Sequence, residues 1–113
     1  GMGVHWAEEA MQDFTDRSAD LLDLRTLLPW DKEAVKATVQ KTGRVLVIHE
    51  DCMTGGIGGE IAAWISEYCF KHLDAPVMRE ASLDTAVPFS PQLEENFLPK
   101  GRLSQKIKDL LEF

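Results

Sequence analysis

The stretch RVLVIHEDCMTGGIGGE, residues 44–60, decides the fold. Val45, Leu46, Val47 and Ile48 follow Arg44 as a short apolar run rich in β-branched residues, the pattern of a strand covered on both faces. His49, Glu50 and Asp51 then turn the chain polar, and Gly55, Gly56, Gly58 and Gly59 open an amphipathic helix. The stretch reads as strand, polar loop, helix. In open α/β sheets, ligands and partners are met beyond the carboxyl ends of parallel strands, which makes this loop the first place to look for function.

Working outward, Ile57, Ile61, Trp64, Ile65, Tyr68 and Leu73 recur at three- and four-residue spacing and define a helix that Pro76 stops. Val77 to Ala81 reads as a short strand. Ser82 to Pro99 carries Pro88, Pro91 and Pro99 with little periodicity, the composition of an extended surface connection anchored by Phe89, Leu93, Phe97 and Leu98. Leu103, Ile107, Leu110 and Leu111 mark a closing helix. Upstream of the opening stretch, Asp31 is a helix N-cap, Val35 and Val39 share one face, and Gly43 ends that helix. Arg25 to Trp30 is an exit loop, Ala19 to Leu24 (ADLLDL) has the look of a buried strand, and Val4, Ala7, Met11 and Phe14 line one side of a first helix.

Helices alternating with short apolar strands predict a three-layer α/β domain with a mainly parallel sheet. A length of 113 residues suits one domain. A formal net charge of -7, with scattered Lys and Arg, argues against nucleic-acid binding, which needs clustered cations. Cys52 and Cys69 form neither a CxxC pair nor a metal-spaced array, so reduced thiols and a cytoplasmic setting are expected. No apolar run approaches the ~20 residues of a membrane span. A doubly wound domain ordinarily begins with a strand, whereas this chain begins with Gly-Met-Gly and a helix.

Five blocks in register carry a family resemblance: DLRTLLPWDKEAV from Asp23, KTGRVLVIHED from Lys41, TGGIGGEIAA from Thr54, LDAPV from Leu73 and DTAVPFSPQLEENFLP from Asp84. Together they resemble the carboxyl-terminal, transketolase-like domain of the beta chain of thiamine-diphosphate-dependent 2-oxo acid dehydrogenases, from about Gly3 to Phe113. HED, TGG, the EIAA helix and Cys69-Phe70 look more like the branched-chain (2-oxoisovalerate) enzymes than the pyruvate enzymes. The resemblance implies that a pyrimidine-binding domain and a first strand lie upstream in the parent. In a sheet ordered second, first, third, fourth, that absent strand is central. Its two neighbours then have unpaired backbone groups, and sheet rearrangement or self-association is the expected compensation.

Each candidate site has a bland reading beside the functional one. His49, Glu50 and Asp51 can act as acid, base or ligand; as plain structure they hydrogen-bond neighbouring backbone and cap the next helix. Gly55, Gly56, Gly58 and Gly59 can bare N–H groups to an anion, yet they lack P-loop and dinucleotide spacing and read better as a tight turn with close helix packing. The resemblance carries no catalytic, cofactor or metal residue onto this chain. His49, Glu50, Gly55 and Gly56 would at most line an active-site mouth or a subunit interface. It assigns docking to Asp74 and the terminal carboxylate of Phe113, which would meet basic side chains of the subunit-binding domain of the dihydrolipoyl acyltransferase; the plain alternative is a solvated helix end and a frayed terminus. Trp6, Trp30 and Trp64 serve a core or a subunit interface, with Trp30 expected to be exposed, and His5 and His72 are surface residues.

The leading expectation is an assembly and docking domain of a 2-oxo acid dehydrogenase decarboxylase, contacting alpha and beta chains. The fragment itself would be inactive, and thiamine diphosphate and magnesium would be held elsewhere in the parent. The alternatives are a free-standing flavodoxin-like module binding a small anion or a protein, and the equivalent domain of transketolase or a related synthase.

Overall fold

A parallel pair of strands carries the fold in the computed structural model, which describes residues 1–113. In chain order the elements are α1 (Met2–Met11), α2 (Lys32–Thr42), β1 (Leu46–Cys52), α3 (Ile57–Tyr68), β2 (Met78–Ser82), α4 (Pro91–Phe97) and α5 (Leu103–Glu112). Single 3₁₀ turns lie at Phe70–His72 and Pro99–Arg102. Leu46 pairs with Met78, Val47 with Arg79 and Ile48 with Glu80.

The period-two geometry of β1 separates two cores. Val45 and Val47 meet Trp30, Val35, Val39, Ile61, Ile65 and Cys69, the layer built by α2 and α3. Leu46 and Ile48 point the other way, toward Trp6, Ala10, Leu103 and Ile107 of α1 and α5. Helices thus cover both faces, as the alternation of elements predicts. Burying a side chain such as Ile65 or Leu103 contributes roughly 1.5–3 kcal/mol, so these residues hold the layers together.

Local chemistry explains the helix boundaries. The Asp31 carboxylate accepts the Ala34 N–H at 3.0 Å, capping α2. Gly43, at φ 73°, takes the left-handed turn that ends it, and its N–H donates to the Val39 carbonyl.

Several expectations are overturned. Ala19–Leu24 is not a strand: residues 18–23 make no backbone hydrogen bond to the rest of the chain, and Leu21 and Leu22 are exposed. A strand needs a ladder partner. β1 pairs with β2 along one edge only, and no strand occupies the other. For the same reason the apolar residues of β1 are half-buried rather than buried.

β1 also runs through His49, Glu50 and Asp51, which the polarity of their side chains marks as loop. Glu50 and Asp51 are exposed, so the backbone continues pairing while the side chains stay in water. An irregularity in register between Ile48 and Cys52 absorbs the change, and Ser82 Oγ donates to the Glu50 carbonyl. α3 ends at Tyr68, well before Pro76, where i to i+3 bonds from His72 to Cys69 and from Leu73 to Phe70 tighten the chain.

The 82–99 connection contains α4. Pro91 occupies its first turn rather than breaking it, and the Ser90 hydroxyl caps the Leu93 N–H at 3.2 Å. Phe97 is buried and Leu98 half-buried, but Phe89 and Leu93 stand exposed and anchor nothing. Trp30, expected outside, is buried against the edge of Trp64 with ring centroids 5.1 Å apart.

Candidate functional site

The carboxyl ends of β1 and β2 bring together residues that are far apart in sequence. His49 leaves β1 beneath the first turn of α3, and its ring fits there because Gly56 and Gly58 lack side chains. A Cβ at Gly58 would lie 2.5 Å from Nε2, and one at Gly56 would lie 2.5 Å from Cε1. Both ring nitrogens are enclosed without a hydrogen-bond partner. Burial therefore pulls the His49 pKa below its usual 6.5, outweighing the attraction of Asp51, and Arg79 on β2 acts in the same direction as burial. The imidazole is a wedge between strand and helix. No carboxylate is hydrogen-bonded to the ring to orient it, as an acid–base relay would require.

Glu50 and Asp51 do not cap α3, whose N-cap is Gly56 with no side-chain bond. Asp51 instead accepts the Cys52 N–H at 2.8 Å. Gly55 takes φ 78° to make the turn, so the glycine cluster serves a tight turn and close packing.

Beside His49, Thr54 donates its N–H to Asp84 at 2.8 Å and its hydroxyl at 2.5 Å, and the Arg79 guanidinium donates to the Met53 carbonyl at 3.3 Å. The bonds from Thr54 hold the fully exposed Asp84 carboxyl below its ordinary range, with Arg79 adding to them. Sequence reasoning does not single out Thr54, Arg79 or Asp84. The available signal was positional: parallel strands in register bring the loops after Cys52 and after Ser82 side by side.

A second omission is Arg102, whose Nε donates to the buried Glu80 carboxylate at 3.0 Å. Its remaining nitrogens donate to the carbonyls of Asn96, Ala81 and Phe97. This guanidinium fastens the start of α5 to β2 and to the end of α4.

Asp74 lies before β2. Its N–H donates to the Gly43 carbonyl at 2.7 Å, and its carboxylate, 65% exposed, sits over Gly43 and 4.0 Å from the Arg44 guanidinium. A Cβ at Gly43 would strike that carboxylate, so the glycine both turns the chain and clears space for Asp74. Phe113 is exposed at the end of α5. No hydrogen bond or ion pair joins Asp74 to Phe113. His5 is exposed, and half-buried His72 lies 3.4 Å from Gln40.

The His49 ring packs against the side of Gly56 and Gly58 where a Cβ would stand, and no group of three or more His, Cys, Asp or Glu side chains converges on one point. Cys52 and Cys69 are free thiols. No helix is long and apolar enough to cross a membrane.

Comparison with known proteins places the chain in a family. Residues 1–102 match the family described as Transketolase, C-terminal domain. The chain is 47% identical over 97 residues to 2-oxoisovalerate dehydrogenase subunit beta 2, mitochondrial, of Arabidopsis thaliana, covering 85% of this chain and 26% of that protein. It is 40% identical over 117 residues to 2-oxoisovalerate dehydrogenase subunit beta of Bacillus subtilis, covering 100% of this chain and 36% of the relative. It is also 40% identical over 108 residues to the pyruvate dehydrogenase E1 component subunit beta of Staphylococcus aureus, covering 95% and 32%. The chain thus spans about a quarter to a third of the length of these relatives. It belongs to the transketolase C-terminal domain family, and the relatives it matches are beta subunits of 2-oxo acid dehydrogenases of the 2-oxoisovalerate and pyruvate types.

Proposed function

We propose that this single domain assembles and docks a 2-oxo acid dehydrogenase decarboxylase of the 2-oxoisovalerate type. The parent enzyme oxidatively decarboxylates a 2-oxo acid and passes the acyl group to lipoyl lysine. Thiamine diphosphate and magnesium are held in other domains of that parent, and this chain alone neither binds them nor turns over substrate. The use of Gly56 and Gly58 to seat the His49 ring, in a turn without P-loop spacing, favours that division. Family membership counts against a free-standing flavodoxin-like module.

Docking rests on one observation: Asp74 presents an exposed carboxylate on backbone fixed by the bond to Gly43. A held anion suits a cationic surface, here the subunit-binding domain of the dihydrolipoyl acyltransferase, with the exposed Phe113 at the end of α5 as a second contact. Assembly with alpha and beta chains uses the His49, Glu50, Gly55 and Gly56 corner. The unpaired edge of β1 offers backbone donors and acceptors for self-association of the isolated chain.

Titration of immobilised subunit-binding domain with the 113-residue chain tests the docking role. Asp74→Lys or deletion of Phe113 weakens capture; unchanged affinity in both variants removes them from the site. Calorimetry with thiamine diphosphate and magnesium is expected to show no binding, and a saturable isotherm would refute the division of labour.

A further inference from the structure

Beyond the corner at Asp74, the segment between β2 and α5 forms a face that, apart from Glu50 where it adjoins the His49 corner, the assembly reading does not assign. The Leu83 N–H donates to the Phe97 carbonyl at 3.0 Å, which closes residues 83–97 into a loop lying against the end of β1. Within it Val87 is 67% exposed, Leu93 61% and Phe89 fully, a concentration of large apolar side chains in water that a protein surface rarely carries without use. Between this loop and β1 opens a cavity of about 190 Å³ whose lining combines Cys52, Val87, Phe97 and Leu98 with the acidic Glu50, Asp51 and Glu94. No Lys or Arg lines it, and neither Glu50 nor Glu94 makes an ion pair or a side-chain hydrogen bond.

We propose that this face is a docking surface for a segment of a different polypeptide in which Arg or Lys lies beside apolar side chains. The basic group enters the cavity between Glu50, Asp51 and Glu94, while its apolar neighbours cover Val87, Phe89 and Leu93.

Charge complementarity decides the occupant. A purely apolar segment would remove water from three carboxylates and give them no partner, which is costly. A second copy docking isologously would set the same three carboxylates against their own kind, on a chain whose net charge is already -7. A cationic, apolar segment satisfies both the carboxylates and the apolar lining. The surface is built from the end of β1 and the segment after β2, and shares no residue with the Asp74 corner, so the two docking functions are separable by mutation.

The test is an amide chemical-shift titration of the full chain with two synthetic peptides, acetyl-Leu-Arg-Phe-Arg-Leu-amide and its counterpart with Glu in place of both Arg. The basic peptide is expected to shift signals of residues 50–52 and 87–98, to bind at least tenfold more tightly than the acidic one, and to weaken as salt rises. Glu50→Lys combined with Glu94→Lys should abolish binding of the basic peptide and admit the acidic one. Val87→Ser with Phe89→Ser, both exposed and harmless to folding, should weaken the basic peptide by at least tenfold. Equal binding of both peptides, shifts scattered over the whole surface, or unaltered affinity in the charge-reversed variant would overturn the proposal. Shifts at Val87, Phe89 and Leu93 that track protein concentration without peptide would overturn it too, by making the face a contact between copies.

Discussion

Thr54 donates both its N–H and its hydroxyl to Asp84, at 2.8 and 2.5 Å, and so clasps the loop after β1 to the loop after β2. Asp84→Ala should accelerate amide exchange across residues 53–56 and 83–86 with little change in thermal midpoint, because the carboxylate is wholly exposed. The sign of the pH effect follows from the lowered pKa. The clasp contributes above the ordinary carboxyl value of 3.8 and is lost as pH falls through the folded-state value. Protection factors, exchange corrected for its intrinsic pH dependence, measured down an acid series check both statements, and those of Asp84→Ala should be insensitive to the same series in this region.

His49 and Gly58 are a matched pair, since an added methyl would lie 2.5 Å from the ring. Gly58→Ala should therefore destabilise the chain by about 1–3 kcal/mol, the range for overpacking. In a His49→Ala background the same change should cost nothing, or stabilise by up to about 1 kcal/mol through helix propensity. Urea denaturation of the four proteins in the cycle measures the coupling.

The enclosed imidazole gives a second pH dependence. Its folded pKa lies below the usual 6.5, so the unfolded chain binds the proton more readily and stability declines as pH falls through 6.5 toward the folded value. Above that range the contribution is constant. His49→Gln should flatten the decline, as seen in urea midpoints collected from pH 8 to pH 5.

Arg102 answers a buried carboxylate, Glu80, which is 5% exposed. Arg102→Ala should cost about 3 kcal/mol, mostly from leaving that charge without its partner. Adding Glu80→Gln should return part of the loss. Arg102→Lys should fall between, because one ammonium cannot reach Glu80 and the carbonyls of Ala81, Asn96 and Phe97 together. Thermal midpoints of the three variants order these effects.

The elements legible in the sequence were those whose signal is local. Val35 and Val39 between Asp31 and Gly43, and the Ile61, Trp64 and Ile65 spacing, specify α2 and α3 through capping and amphipathicity alone. Ala19–Leu24 has the composition of a strand but no neighbour to pair with, and composition does not report a partner's absence. His49–Asp51 looked like loop because polarity marks exposure, whereas strand pairing is a property of the backbone. Pro91, with Pro88 and Pro99, gives residues 82–99 the composition of an extended connection, although a helix welcomes proline in its first turn. Within the site, the fit of the glycines to close packing was readable from their spacing. The Thr54–Asp84 and Arg102–Glu80 bonds were not, since each joins residues more than twenty positions apart whose types are unremarkable.

The central claim, that of the proposed function, is that Asp74 and Phe113 each contribute to receiving the subunit-binding domain of a dihydrolipoyl acyltransferase. Its most direct test is the dissociation constant for that domain of the unmodified chain, Asp74→Lys, the Phe113 deletion and the double variant, each at low and high salt. The account predicts that each single change weakens binding at least tenfold, that the double variant shows no measurable capture, and that salt reproduces part of the loss in the unmodified chain. Affinity unchanged across all four proteins would contradict it.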